Sequence, residues 1–153
     1  MKKSWFLLAL SLVVLSFSHP TGFKNYVSFK GTKQGQFKAE SSKGKTGREA
    51  DGWFELQSFD MGGESPADAS RSTAAGKTQH KPFTLTKEVD GATPKLLQAH
   101  LTNEMFESII VQTVNEQNQA SKTITLRNAV ISDIKTSGHT ESISFSYDSM
   151  EQR

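Results

Sequence analysis

Alternation of polar and apolar residues with a period of two is the feature that most constrains this chain. Between Ser142 and Asp148, the side chains of Ile143, Phe145 and Tyr147 alternate with serine and aspartate. A β-strand places successive side chains on opposite faces, so this pattern predicts a strand with one buried face and one solvated face. The chain is therefore expected to fold mainly through strands.

The same reasoning predicts six strands in all. Phe106–Val114 is more evenly apolar than the others, so both of its faces are expected to be covered. One face of the long strand after it is expected to hold Ile124, Leu126, Asn128, Val130, Ser132 and Ile134. The six predicted strands are Tyr26–Lys30, Trp53–Met61, Phe83–Val89, Phe106–Val114, Ile124–Ile134 and Ser142–Asp148.

One helix is predicted from Thr93 to about Glu104. Thr93 is a favourable N-cap, and Pro94 suits the first helical position, where its missing N–H costs nothing. A face that we expect to pack on the sheet follows at helical spacing, with Leu96, Leu97, His100 and Leu101. Six strands and one helix predict a mainly β fold, a small antiparallel β-barrel of about six strands with one flanking α-helix.

The first residues have the layout of a secretory signal peptide. Lys2 and Lys3 precede the apolar run Trp5–Phe17, whose 13 residues are too few to cross a bilayer comfortably. Small residues follow at the positions that a signal peptidase reads, which predicts a cleaved signal over 1–18 and a domain over 19–153. A secreted or periplasmic bacterial protein is then expected, without a membrane anchor after cleavage. A buried N-terminal helix or an uncleaved anchor are the alternatives.

Composition excludes several classes of function. The chain has no cysteine, so disulfide scaffolds, thiolate metal sites and cysteine nucleophiles are excluded. It has no run of about 20 apolar residues, which excludes a polytopic membrane protein. The four histidines, His19, His80, His100 and His139, do not have the spacing of metal ligands. With no nucleophile motif or marked carboxylate pair either, we expect a non-enzymatic protein without catalytic residues, cofactor or metal.

Charge is balanced in total but divided along the chain. Loss of residues 1–18 would lower Lys+Arg from 18 to 16, equal to the 16 acidic residues, so nothing favours a nucleic-acid partner. Residues 23–48 are basic and residues 49–70 are acidic, which suggests complementary surfaces. Two solvated loops that differ in sign are the alternative. The basic residues are Lys24, Lys30, Lys33, Lys38, Lys43, Lys45 and Arg48; the acidic ones are Glu49, Asp51, Glu55, Asp60, Glu64 and Asp68.

Five stretches carry a resemblance to a known family. They are Gly31–Lys38 (GTKQGQFK), Ser58–Pro66 (SFDMGGESP), Gly76–Pro82 (GKTQHKP), Leu85–Leu97 (LTKEVDGATPKLL) and Glu141–Phe145 (ESISF). Their order and spacing resemble the haemolysin-coregulated protein (Hcp) family, the tube subunits of bacterial type VI secretion. The resemblance covers about residues 25–150.

The resemblance implies a small β-barrel that assembles into hexameric rings. In the family these rings stack into a hollow tube, and the resemblance implies effector and spike proteins as its partners. A long loop, here Gly62–Thr78, is implied to reach the adjacent ring, and its glycine, serine and alanine content predicts mobility. The inter-ring residues implied are Gly62, Gly63, Glu64, Ser65, Arg71 and Lys77.

The divided charge leads to a hypothesis about stacking. A head-to-tail stack joins two different surfaces of one chain, and opposite charge suits such a pair. The basic members are Lys38, Lys43, Lys45 and Arg48, and the acidic members are Glu49, Asp51, Glu64 and Asp68. Tube subunits of the family carry no cleaved signal, so an exported paralogue that acts as a secreted protein-binding module is the alternative function.

Overall fold

A computed structural model describes residues 22–38, 51–62 and 81–153. The predicted signal peptide and most of the predicted inter-ring loop lie outside these ranges. The described chain forms a nine-stranded sheet and one helix, α1, Thr93–Leu101. The strands are β1 Lys24–Gly31, β2 Gly35–Gln36, β3 Phe54–Leu56, β4 Ser58–Asp60, β5 Phe83–Glu88, β6 Met105–Val114, β7 Ala120–Ser137, β8 Thr140–Ser146 and β9 Ser149–Gln152.

All pairings in this sheet are antiparallel, in the order β2-β1-β6-β7-β8-β5-β4. The predicted strand Trp53–Met61 is split in two: β3 pairs with β1 and β4 pairs with β5. Gln57, between them, donates its backbone N–H to Thr86 O at 2.9 Å. The sheet thus curls until one short segment bridges its two sides, which agrees with the predicted barrel.

Phenylalanine rings fill the middle of the barrel. Phe29 of β1 is fully buried and contacts four other rings at centroid distances from 5.8 to 6.2 Å. Those rings belong to Phe37, Phe54, Phe106 and Phe145, so the core joins strands that are far apart in the sequence. Residues 35–37 contribute to this core region through the short strand β2 and the buried Phe37.

The face predicted for the long strand holds for Ile124, Leu126 and Ile134 but is wrong between the last two, starting at Asn128. That residue has a left-handed backbone (φ 50°), which reverses the alternation, so Ala129 and Ile131 are buried instead of Val130. An irregularity between Ile131 and Asp133 reverses it again. Within one chain only one face of β6 is covered, because Ile110 remains partly exposed on the outer face.

The helix differs from its prediction at both ends. Ala92 is the N-cap, and Thr93 is already helical. The helix ends at Leu101 because Asn103 adopts a left-handed conformation (φ 47°) and the N–H groups of Asn103 and Glu104 close back on His100 O and Ala99 O.

The buried face of α1 is also different from the predicted one. Leu96 and Ala99 are the residues that enter the core. Leu97 and Leu101 are 48% and 75% exposed, so the expectation that they pack on the sheet is wrong.

Candidate assembly surfaces

A buried ion cluster fixes the start of the helix against the barrel. Lys87 on β5 and Glu141 on β8 are cross-strand partners, with 0% and 1% of their surfaces exposed. Lys87 Nζ lies 2.8 Å from Glu141 Oε1, 2.8 Å from Asp90 Oδ1 and 2.7 Å from Glu88 O. These three acceptors satisfy the three N–H donors of the ammonium group, so the buried Lys87 serves to hold the fold together.

The turn before the helix joins the same cluster. Asp90 Oδ1 accepts the N–H of Ala92 at 2.9 Å, and the N–H of Asp90 donates to Thr93 Oγ1 at 3.1 Å. The Thr93 hydroxyl in turn donates to Glu141 Oε1 at 2.8 Å. Thr93 therefore connects the helix to β8, a role different from the N-cap predicted for it.

A second buried carboxylate, Glu104, lies just beyond the helix C-terminus. Its Oε1 accepts the N–H groups of Lys33 and Gln34, both at 2.8 Å, and its Oε2 accepts Gln34 Nε2 at 3.0 Å. Gly31 packs directly on this carboxylate, where any side chain would collide with Oε1. The β1–β2 turn is thus folded around Glu104.

Hydrogen bonds set the ionisation of Glu104. Burial alone raises the pKa of a carboxyl group, but the donors from Gln34 and Lys33, together with the Lys33 charge, outweigh it. The pKa of Glu104 is consequently held below its ordinary value of 4.5.

Contacts bring together the described residues on either side of 39–50 and on either side of 63–80. A Cβ on Gly52 would lie 2.6 Å from Phe37 O, so the chain is close together where the exposed Lys38 and Asp51 stand on either side of residues 39–50. Gly62 has a positive φ of 60°, and a Cβ there would lie 2.7 Å from Pro82 O. A glycine is required at this position, where the predicted inter-ring loop leaves the barrel.

Two charges of the basic block are matched within the chain. Lys24 Nζ lies 3.3 Å from a carboxylate oxygen of Glu55 in the acidic block. Lys30 Nζ lies 2.7 Å from Glu107 on the neighbouring β6. Among the predicted site residues the structure describes Gly62, Lys38 and Asp51. The others, Gly63, Glu64, Ser65, Arg71, Lys77, Lys43, Lys45, Arg48, Glu49 and Asp68, lie outside the described ranges.

The outer surface of β4, β5 and β8 is lined with hydroxyl groups. Register places Ser58 beside Thr86 and Ser142, and Thr84 beside Ser144. These five residues, the hydroxyl face, alternate with the buried Phe83, Leu85, Ile143 and Phe145 and so point away from the core. Thr84 Oγ1 and Ser144 Oγ are 3.0 Å apart. The five residues offer hydroxyl groups for hydrogen bonding, and charged side chains flank them, because Asp60 pairs with Thr84, Asp133 with Ser144 and Lys135 with Ser142.

Two further searches cover the described ranges only. They contain no cluster of three or more histidine, aspartate or glutamate side chains that could hold a metal ion. Nor do these ranges include a helix with the length and hydropathy needed to cross a membrane.

Sequence comparison now identifies the family of this barrel. The family model described as "Type VI secretion system effector, Hcp" matches residues 26–153. The "Major exported protein" of Pseudomonas aeruginosa strain PAO1 is 32% identical over 123 residues, covering 74% of this chain and 72% of the relative. The chain belongs to the Hcp family of type VI secretion, which confirms the resemblance seen in the sequence.

Solved structures of Hcp proteins have the same architecture as this chain. The secreted protein Hcp3 from Pseudomonas aeruginosa superposes with a TM-score of 0.65 at 23% identity, over 86% of this chain and 97% of that one. Hcp1 from E. coli EAEC 042 gives a TM-score of 0.65 at 17% identity, with the same coverage. The mainly β, barrel-like fold with one flanking helix is thereby confirmed.

Proposed function

We propose that this chain is a non-enzymatic structural subunit that forms hexameric rings, which stack into a hollow tube of the type VI secretion kind. The match to the Hcp family over residues 26–153 is the observation that carries the proposal. A relative named as an exported protein supports a secreted destination. The buried polar clusters support a structural role, since Lys87 and Glu104 are engaged in holding the fold together.

The hydroxyl face is our candidate for the lining of the tube. A passage for folded cargo has to avoid both apolar patches and strong charges, which would retain the cargo. Ser58, Thr84, Thr86, Ser142 and Ser144 supply the uncharged centre of such a surface, with the acidic Asp60 at its edge. A cysteine at Ser144, in a chain without other cysteines, should react with a bulky maleimide more slowly in stacked tubes than in separate rings. Equal rates in both states would contradict this assignment.

Mass measurement tests the ring itself. Light scattering on purified residues 19–153 should give the mass of six subunits. A monomer at every accessible concentration would contradict the ring and favour the binding module.

Stacking is expected to depend on charge, whereas the ring is not. Exposed ion pairs are individually weak and are screened by salt, but a ring repeats each pair around its circumference. We expect tubes to shorten between about 0.05 and 0.5 M salt while rings survive, because the screening length shrinks over that range. Joint reversal of Lys43, Lys45 and Arg48 to glutamate should abolish stacking. Tubes of equal length in negative-stain images of this variant would contradict the hypothesis.

Reversal of Lys135 to glutamate is the control for this experiment. Lys135 is 80% exposed and lies outside the basic block. It should leave tube length unchanged.

The signal-like N-terminus favours a second candidate, an exported paralogue that binds another protein outside the secretion machine. Lys2 and Lys3 followed by Trp5–Phe17 are the observation behind it. N-terminal sequencing of the protein from its native host decides the point, since a start at His19 supports export and a start at Met1 contradicts it.

A further inference from the structure

The outward side of α1 is uncharged, which is unusual for a helix on a surface. Pro94, Leu97, Gln98 and Leu101 are all exposed and follow one another at helical spacing; we call them the helix face. A helix that meets solvent normally carries charged side chains on that side. Lys95, the charged residue of α1, instead directs its Nζ towards Lys38 O at 3.5 Å.

A second uncharged surface lies on the outer side of β1, β6 and β7. Two rows of cross-strand partners make it up, Tyr26–Gln112–Thr123 and Ser28–Ile110–Thr125. We call these six residues the sheet face. They alternate with the buried Val27, Ile109, Val111 and Ile124, so they point away from the core. Five of them are partly exposed, and Ser28 is buried where its hydroxyl accepts Gln36 Nε2 at 2.8 Å.

Ion pairs border the sheet face on three sides. Lys24 pairs with Glu55 on β3, Lys30 pairs with Glu107, and Arg127 Nε lies 3.7 Å from Glu151 on β9. A centre without charge surrounded by a charged rim is the anatomy of a protein–protein interface. An ordinary solvated sheet would instead distribute its charges over the whole face.

We propose that the helix face of one copy of this chain packs on the sheet face of the next copy. Both surfaces are uncharged, so neither brings a charge that the contact would bury without a partner. Their sizes match, because a helix with its side chains is about 10 Å wide and three strands span about 10 Å between the outer two.

A second copy is the occupant that accounts for both surfaces at once. Contact between two different surfaces of identical subunits is heterologous, which is the kind that generates rings. This inference rests on the proposed ring and names the surfaces that would build it. A different partner that bound the helix face would not explain why the sheet face is also uncharged.

Disulfide crosslinking tests the contact, because the chain has no cysteine of its own. Leu97→Cys mixed with Ile110→Cys should form crosslinked dimers on mild oxidation, and so should Leu97→Cys mixed with Gln112→Cys. We expect about tenfold more dimer than from Leu97→Cys mixed with Ser137→Cys, because a disulfide needs close Cα atoms. The double variant Leu97→Cys/Gln112→Cys should give a ladder of species that ends at the closed ring.

A charge variant supplies an independent readout. Leu97→Glu/Leu101→Glu should reduce the ring to monomers while the far-UV circular dichroism remains that of the native fold, since both side chains are exposed. Ser137→Glu, at an exposed position of β7, is the control and should leave the ring intact.

The outcomes separate this inference from the proposed function. A wild-type hexamer whose two cysteine mixtures crosslink no better than the control, and whose charge variant stays hexameric, overturns the helix–sheet contact and leaves the ring standing. A wild-type monomer at every accessible concentration overturns the ring. Crosslinking of Leu97→Cys with itself would place two helix faces together and would also overturn the inference.

Discussion

The two ends of α1 are both fixed by a buried glutamate, but in different ways. At the N-terminal end, Glu141 lies in an ion cluster with Lys87 and Asp90. At the C-terminal end, Glu104 is held by the backbone and side-chain N–H donors of the β1–β2 turn. The first end depends on a charge from a distant strand, and the second depends on the shape of a turn.

The difference shows how each end can fail. Glu141 Oε1 accepts from Lys87 and Thr93, whereas its Oε2 has no hydrogen-bond partner within the described ranges. Removal of Lys87 would therefore leave a buried carboxylate without its cation. Both oxygens of Glu104 are hydrogen-bonded, so this end should fail only when the carboxylate is protonated or the turn is changed.

Replacement of Lys87 should have the largest effect. Lys87→Met leaves the buried Glu141 and the partly exposed Asp90 without their cation, which should lower the free energy of unfolding by about 3–5 kcal/mol. Urea titration followed by circular dichroism measures the change. Lys87→Met/Glu141→Leu removes both partners and should recover part of the loss. A double variant less stable than the single one would contradict this account.

The middle of the helix provides the next comparison. Leu96→Ala opens a cavity in the core and should lower stability by about 2–5 kcal/mol. Leu97→Ala, a matched change at an exposed position, should cost less than about 1 kcal/mol when measured where light scattering gives a monomer. Equal losses in the two variants would mean that the buried and exposed faces of α1 are assigned wrongly.

Glu104→Gln should have a smaller effect that depends on pH. Loss of the charge-assisted bonds should cost about 1.5–3 kcal/mol at neutral pH. Because the pKa of Glu104 is lower in the folded state, its stabilisation is complete above about pH 4.5 and is lost as the pH falls through the folded value. The wild type should therefore lose stability more steeply below pH 4.5 than the variant. Parallel pH profiles in urea titrations would contradict this role.

Thr93→Val should have the smallest effect. It removes the hydroxyl that donates to Glu141 and accepts from Asp90, at a cost of about 1 kcal/mol. Combined with Lys87→Met, the loss should be less than the sum, because both residues act on Glu141 Oε1. Strict additivity in thermal melts would show that the two contacts are independent.

Local patterns predicted most of the fold. Hydropathy patterns located all six predicted segments in the sheet, because one face of each packs on a single core, although Trp53–Met61 forms two strands, β3 and β4. The reversal at Asn128 was missed, since a left-handed asparagine leaves no mark in the hydropathy pattern. The helix start was placed one residue late because the hydroxyl of Thr93 bonds to Glu141 instead of capping the helix. That partner is 48 residues away, so no local pattern indicates it.

The buried ion pair and the helix face were harder to predict from sequence than the strands. Lys87 and Glu141 alternate in step with the apolar residues of their strands, and this spacing was the available sign that they are buried. The helix face was mistaken for the core face because leucine satisfies both kinds of contact. Exposure separates the two, and exposure depends on the folded chain.

The pairing order of the sheet has a consequence for synthesis of the protein. β1 finds its long ladder only with residues 106–114, and β5 pairs with residues 140–145. Strands β6, β7 and β8, in contrast, form a continuous meander in the last part of the chain, and β9 returns to pair with β7. A ribosome therefore releases the N-terminal strands well before their partners exist, and such long-range pairings form slowly. The barrel cannot close until translation is nearly complete. The nascent chain therefore stays unfolded long enough to pass through a translocation channel.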